Sequence, residues 1–374
     1  MIEINKLKTT SLKVFEDCLL PNGCLVAAPV AQPYYPKDAK SYMYAWPGRD
    51  SGFALASMLL LGQDYYQPVL RWLWERAEDF NQSTQDEWRQ GLIFKSYHPN
   101  GLVREHQFQP DQGGTLMWAL GFKQELTRKN LSPLELQVLQ KLADGYARIW
   151  LGPTFKVAVE DLWEERGATP AEGNFTYSLA AVATGLRVAG RILKEQKYAD
   201  VAFQITQVLK QYCWNETEKI IPRKFKSGEC REDLTVDGSL LGLVWPFNLG
   251  FPQEHLLATV VKIEETLLSA QGVHRYSGDT YKGADSHNHS NDKAGAWPLL
   301  TFWLSLACAQ LDQKEKAEKY FNLAWGNLAD EYIPEQIFCC ELMPWTGIKP
   351  LLWSHAMFLL AAWKLGFLQP QALK

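Results

Sequence analysis

Apolar residues fill six stretches of this chain almost without a break. SGFALASMLLL, GGTLMWALGF, FTYSLAAVATGL, VDGSLLGLVWPF, KAGAWPLLTFWLSLACAQL and PLLWSHAMFLLAAWKLGF begin near Ser51, Gly113, Asn174, Val236, Lys293 and Pro350. The interval is roughly sixty residues each time, and a helix that is apolar all round must be buried all round. Between them lie amphipathic stretches at 6–19, 65–80, 133–150, 195–214, 254–269 and 313–328. In the third, Leu139, Leu142, Tyr146 and Ile149 recur at spacings of three and four, while Lys141, Asp144 and Arg148 face away. That pattern predicts a helix with one buried and one wet face. Ser132, Pro133 and Glu135 read as a capping box with proline at the first helical position, and Asp312 with Glu315 resembles a second box.

Six outer and six inner helices in strict alternation predict an all-α fold, an (α/α)6 barrel of two concentric rings. Every loop leading into an inner helix then opens at the same end. An α-solenoid also alternates such helices, but its pairs span roughly 34 to 47 residues and resemble one another in sequence, which these do not. β-branched alternation is limited to 92–97 and 219–222, so strands should be short and lie in loops. No Gly/Ser linker or charge block divides the chain, and the expectation is one domain over residues 1–374.

Composition narrows the partners. The 374 residues are 47% hydrophobic and 21% charged, with a net charge of −4 and no basic run, which argues against nucleic acid or an anionic membrane surface. The longest apolar run, 294–311, is interrupted by Pro298, Thr301 and Ser305 and falls short of the roughly 20 residues a spanning helix needs. The N-terminus has no apolar signal-peptide core, and the seven scattered cysteines form no framework, so a cytoplasmic protein is expected. Fifteen tryptophans offer flat apolar area with an N–H donor, which suits both cores and sugars.

The unusual polar residues gather in the loops before the inner helices. Arg49 beside Asp50 in an aromatic loop, Tyr42 to Asp50, reads either as a structural ion pair or as a grip on two adjacent sugar hydroxyls. Asp111 reads as a helix cap, and Asp233 to Ser239 as a capping loop. Asp161, Glu164 and Glu165 surround Trp163, either as a solvated turn or as an acid site. Arg275, Asp279 and Tyr281 either bind substrate or pin their loop, and His287 with His289, flanked by Asp285 and Asp292, raises metal binding only if they lie on a strand. Glu335, beside Pro334 in a mostly apolar run, is hard to explain as a solvated residue. Glu164 and Glu335 on loops at one barrel end would supply the two carboxyls of glycoside hydrolysis, one acid and one base or nucleophile. No nucleophile elbow, phosphate loop or zinc motif competes, and no cofactor or metal is expected.

From about Tyr42 to Ala361 the ordered motifs YMYAWPGRD, HQFQPDQ, DLWEER with FTYS, VDGSLLGL, RYSGDTY, IPEQ and LLWSHA together resemble the glucoamylase-like glycoside hydrolases of family 15. The resemblance implies an inverting, exo-acting α-glucosidase that releases β-glucose from non-reducing ends. It implies Glu164 as general acid and Glu335 as general base. Arg49 and Asp50 would hold the terminal glucose, with Tyr42, Trp46 and Trp353 lining that subsite and Trp163, Glu165 and Arg275 near the cleaved bond. Glu164 would be kept protonated by apolar Trp163 and by the charge of Glu165. Gly48 departs from the family's usual WPRD or WTRD. Only about forty residues precede the first motif, so neither an N-terminal β-sandwich nor a starch-binding module is expected, and short soluble α-linked gluco-oligosaccharides are the expected substrates. An α-1,6-glucosidase, a trehalase, or a non-catalytic carbohydrate-sensing regulator like the family-related subunits of phosphorylase kinase are the alternatives. Oligomeric state has no signal in the sequence.

Overall fold

The computed structural model describes residues 3–29, 42–82, 86–226, 229–281, 294–338 and 348–371. The inner ring contains α2 (Arg49–Leu60), α4 (Pro110–Thr127), α6 (Thr176–Leu193), α9 (Pro298–Gln310) and α11 (Leu352–Lys364). Its sixth member, between α6 and α9, is a 3-10 helix, Gly238–Leu243. Each packs on its neighbours in chain order, and α11 packs back on α2, so the ring closes as a barrel rather than opening as a solenoid. Outside it run α1 (Ile4–Cys18), α3 (Tyr66–Arg76), α5 (Pro133–Ile149), α7 (Gln196–Tyr212), α8 (Gln253–Leu267) and α10 (Lys314–Gly326). Every residue of α2 is buried, whereas α7 buries only Tyr198, Ala202, Ile205 and Leu209, one face of the helix. Among the described residues, no helix is long and apolar enough to cross a membrane.

Two helical readings differ from the sequence expectation. The fourth apolar segment makes a short 3-10 helix because Gly242 packs against the Tyr177 ring and Trp245–Pro246 follows at once, where proline removes a backbone donor. The Ser132–Glu135 capping box forms, with Ser132 Oγ accepting from the Glu135 N–H and Glu135 returning the bond. The Asp312–Glu315 box does not, since Asp312 adopts a left-handed φ of 60° and Gln313 caps α10 without a side-chain bond. Strands are short and lie in loops. In β1 (Phe94–Tyr97) paired with β2 (Val103–Phe108), the first of the two alternating stretches is realised. At 219–222 only Ile220 bridges to Asn215.

Beneath the site the barrel is filled by rings. Phe53 of α2 meets Trp118 of α4 at 5.4 Å, Trp303 of α9 at 5.5 Å and Trp353 of α11 at 5.8 Å between centroids. Aromatic pairs at such distances each add about 0.5–1.5 kcal/mol beyond their burial. This plug makes the space above it a pocket with a floor.

Candidate active site

The cavity opens at the N-terminal ends of the inner helices and has a volume of about 270 Å³. The ten residues to which the family resemblance gives a role all line it, namely Tyr42, Trp46, Arg49, Asp50, Trp163, Glu164, Glu165, Arg275, Glu335 and Trp353, and so does Tyr281, whereas Asp279 does not. His287, His289, Asp285 and Asp292 lie outside the described residues.

Arg49 and Asp50 begin α2, where the helix dipole favours the carboxylate of the first turn. Their ion pair, Nε to Oδ1 at 2.7 Å, is buried and faces the cavity, so the structural reading of the pair holds and its polar atoms border the open space. The guanidinium lies 4.7 Å over the Trp353 ring and donates to Leu162 O at 2.8 Å and to Glu164 Oε1 at 2.9 Å. Gly48 fits because α2 starts hard against α4. Its N–H and that of Arg49 both donate to Gln112 Oε1, at 2.9 and 2.8 Å, and a Cβ at position 48 would lie 2.0 Å from Gln112 O.

Glu164 sits in the turn of a small hairpin, β3 (Val159–Glu160) with β4 (Gly167–Ala168). It holds φ at 65°, a sparsely populated region for a side-chain-bearing residue and a form of strain that clusters at functional sites. Asp161 shapes the turn: its Oδ1 accepts from the Glu165 and Arg166 N–H groups at 3.0 and 3.2 Å, and Oδ2 pairs with Arg223. Burial raises the Glu164 carboxyl above its ordinary range, against Arg49 and Lys95, which pull it down; the nearby negative charge that adds to the rise is Asp50. Glu165, expected to supply that charge, is tied instead to Arg275 at 2.6 Å and to the Tyr276 hydroxyl. Trp163 is held by Asp237, which accepts from its indole N–H at 3.0 Å while capping the 3-10 helix and pairing with Arg223. The capping reading of Asp237 is correct, and the same carboxylate also orients a cavity-lining ring.

Glu335 lies across the cavity on the segment before α11. Its N–H donates to Ile348 O at 2.8 Å, Ser354 Oγ donates to Pro334 O at 2.9 Å, and Ile337 bridges to Ala296. The side chain is 2% exposed, and burial pushes its carboxyl up to about 7, with Glu164 adding to the rise and Tyr42, Arg275 and Arg49 opposing it. Tyr42 donates to Oε1 at 2.5 Å and also contacts the Tyr281 hydroxyl. Oε2 has no partner among the described residues. Arg275, bound bidentately to Asp279 at 2.7 and 2.8 Å, lies 4.6 Å from the Tyr281 ring and 5.2 Å from that of Trp297. Asp111, read as a cap, makes no side-chain cap. It is buried in the first turn of α4, accepts from Ser178 Oγ at 3.2 Å, and burial raises it to about 7.

Sequence reasoning missed Lys95, Arg104, Glu105 and Trp297 as cavity residues. Lys95 falls in the alternating stretch 92–97, where a charge in an apolar strand was the available signal. Trp297 was hidden in an apolar run.

Comparison with known proteins places this geometry. Residues 19–329 match the family described as Glycosyl hydrolases family 15. An uncharacterized glycosyl hydrolase of Methanocaldococcus jannaschii is 28% identical over 364 residues; the match covers 90% of this chain and 52% of that protein, so the chain spans about half its length. An isomaltose glucohydrolase of Kribbella flavida is 34% identical over 149 residues, covering 37% of this chain and 36% of that one. Among solved structures, a glycosidase in complex with glucose matches with a TM-score of 0.74 at 22% identity, covering 98% of this chain and 100% of its own. A bacterial glucoamylase complexed with acarbose matches with a TM-score of 0.69 at 18% identity, covering 99% of this chain and 57% of its own. These structures share the fold.

Proposed function

Because this chain belongs to glycosyl hydrolase family 15, we propose that it is an inverting, exo-acting α-glucosidase that removes terminal glucose, as the β-anomer, from short soluble α-linked gluco-oligosaccharides. The observation that carries the reading is the pair Glu164 and Glu335, a partly buried and a fully buried carboxyl on opposite loops facing one floored cavity. A closed floor admits a chain end and excludes a chain passing through, which supports exo action. The volume lies just below the usual range of ligand pockets, which favours short substrates.

Arg49 and Asp50, clamped on Trp353, offer a fixed donor and acceptor to vicinal hydroxyls of the terminal sugar, while Trp46, Trp163 and Tyr42 give it apolar faces. Glu164 gives its proton to the glycosidic oxygen, and the bond's electron pair leaves with that oxygen. A water on the other face of the ring attacks the anomeric carbon and loses its proton to Glu335, whose Oε2 is unengaged by described residues. Direct displacement needs room for that water, so the carboxyls should stand roughly 6.5–9.5 Å apart. Glu165 and Arg275, locked together, flank the leaving sugar. Likeness to the isomaltose glucohydrolase supports a second reading, with α-1,6 linkages preferred.

The test is a panel of maltose, maltotriose, isomaltose, trehalose and soluble starch, with the anomer of the released glucose followed by NMR. β-Glucose as first product supports inversion and α-glucose refutes it. Glu164→Gln and Glu335→Gln should each lower kcat by about 10²–10⁴ while sugar binding, measured calorimetrically, persists. A regulator without activity would release no glucose from any of the five.

A further inference from the structure

Lys95 stands on β1 between buried Phe94 and Ser96, and it lines the cavity. It lies by the Glu164 carboxyl oxygen that Arg49 does not bind. Arg49 engages Glu164 Oε1 at 2.9 Å, while Lys95 Nζ lies 3.9 Å from Oε2 and donates to the Glu164 carbonyl at 3.3 Å. The left-handed turn at Glu164 is what offers that carbonyl. Lys95 is itself braced by Glu105 of β2 at 2.7 Å and by Glu160 of β3 at 3.4 Å, and its side chain is 11% exposed. Its strand is fixed in turn, because Gln112 Nε2 donates to Lys95 O at 3.1 Å while Gln112 Oε1 binds the start of α2. The two cations beside Glu164 are thus set by one α4 glutamine.

We propose that Lys95 is a positioning residue for the proton donor: it holds the Glu164 turn by its carbonyl, and it stabilises the carboxylate left when the proton has passed to the leaving oxygen. The proposal rests on the hydrolase reading above. A fully exposed lysine–glutamate pair would have little such effect, but partial burial of Lys95 lowers the local dielectric and strengthens it. Other charges face Glu164: Asp50 from α2, Asp161 and Glu165 from its own hairpin, Arg275 from the loop before α9, and Glu335 across the cavity. None of these changes sides when Lys95 is altered. Removing the ammonium takes a cation from Glu164 and leaves Glu160 without its lysine and Glu105 with only Arg104, at 2.6 Å, so both consequences disfavour the ionised form of Glu164.

The experiment is the pH profile of kcat/KM for Lys95→Met, Lys95→Arg and Glu105→Gln on the disaccharide the wild type cleaves, beside α-glucosyl fluoride, whose leaving group departs without a proton from the enzyme. Lys95→Met should move the alkaline limb up by about half a pH unit or more and lower disaccharide turnover about tenfold, with a change of at most about threefold on the fluoride. Lys95→Arg should restore the limb. Glu105→Gln, which leaves Lys95 one fewer competing carboxylate, should move the limb down. Equal losses on both substrates, or an unmoved limb in folded Lys95→Met, overturn the proposal and leave the hydrolase reading standing. If Lys95→Met does not fold, an unmoved or raised limb in Glu105→Gln overturns it. No glucose from the wild type on any substrate overturns both.

Discussion

At the scale of single residues, the proposed base Glu335 is held by a tyrosine. Tyr42 has one hydroxyl proton and gives it to Glu335 Oε1, so Tyr281 must be the donor in the contact between the two phenols. A hydrogen bond to a carboxylate favours its ionised form. Tyr42→Phe should therefore raise the Glu335 pKa from its already elevated position near 7, and the acidic limb of kcat/KM should move to higher pH by about half to one unit. A limb that stays in place or moves down would refute the assignment of Glu335 as the group that must lose its proton. Single residues were legible in sequence where a motif marked them and illegible where the work is done by packing. Glu164 and Glu335 stood out as acids beside Trp163 and Pro334. Gln112 and Asp237 look like ordinary helix-start residues in sequence, and only the fold brings one to Gly48 and the other to Trp163.

At the scale of elements, two contacts fix how the helices present the site. The first is the approach of α2 to α4 at Gly48. Gly48→Ala would force Cβ into the Gln112 backbone, so it should cost about 1–3 kcal/mol and lower turnover by displacing Arg49 and Asp50. Urea unfolding and steady-state assays check both; unchanged stability would mean that α2 shifts freely. The glycine that departs from the family pattern is thus explained by packing alone, since its φ of −97° is open to any residue. The second contact is His355 of α11, buried between α1 and the Glu335 segment. Ser11 gives its proton to Leu7 O, so His355 Nδ1 carries the hydrogen toward Ser11 Oγ, and Nε2 accepts from the Ile333 N–H, each at 2.9 Å. A second ring proton would face that N–H, and burial lowers the pKa to about 3. Below about 6.5 the unfolded chain takes up a proton that the folded one refuses, so stability falls with pH by up to about 1.4 kcal/mol per unit. The stability gap between wild type and His355→Asn should accordingly narrow from pH 7 to pH 4.5, and a constant gap would refute the buried neutral histidine. Helix periodicity announced all these elements except the fourth inner one. There an apolar run announced burial, but the tight packing of Gly242 on Tyr177, a tertiary fact, decided its form.

At the scale of the whole molecule, closure is the property on which the cavity depends, because the floor is made by rings from helices far apart in sequence. Phe53 of α2 stacks on Trp353 of α11 at 5.8 Å, and α11 also packs on α9 and α1. Alternation alone fits a solenoid as well; the long, dissimilar helix pairs favour closure in sequence terms, and the return of α11 to α2 establishes it. The distinction has a measurable consequence. A solenoid shortened by one terminal helix keeps most of its nearest-neighbour interfaces and stays folded. Here, ending the chain at Ile348 would remove Trp353 and His355, expose the faces of α2 and α9, and release the Glu335 segment from Ser354. The shortened chain should show no cooperative thermal transition by circular dichroism and no activity. A truncated protein that still melts cooperatively near the full-length temperature would mean that ring closure adds little to stability, and that the cavity floor rests on local helix pairs instead.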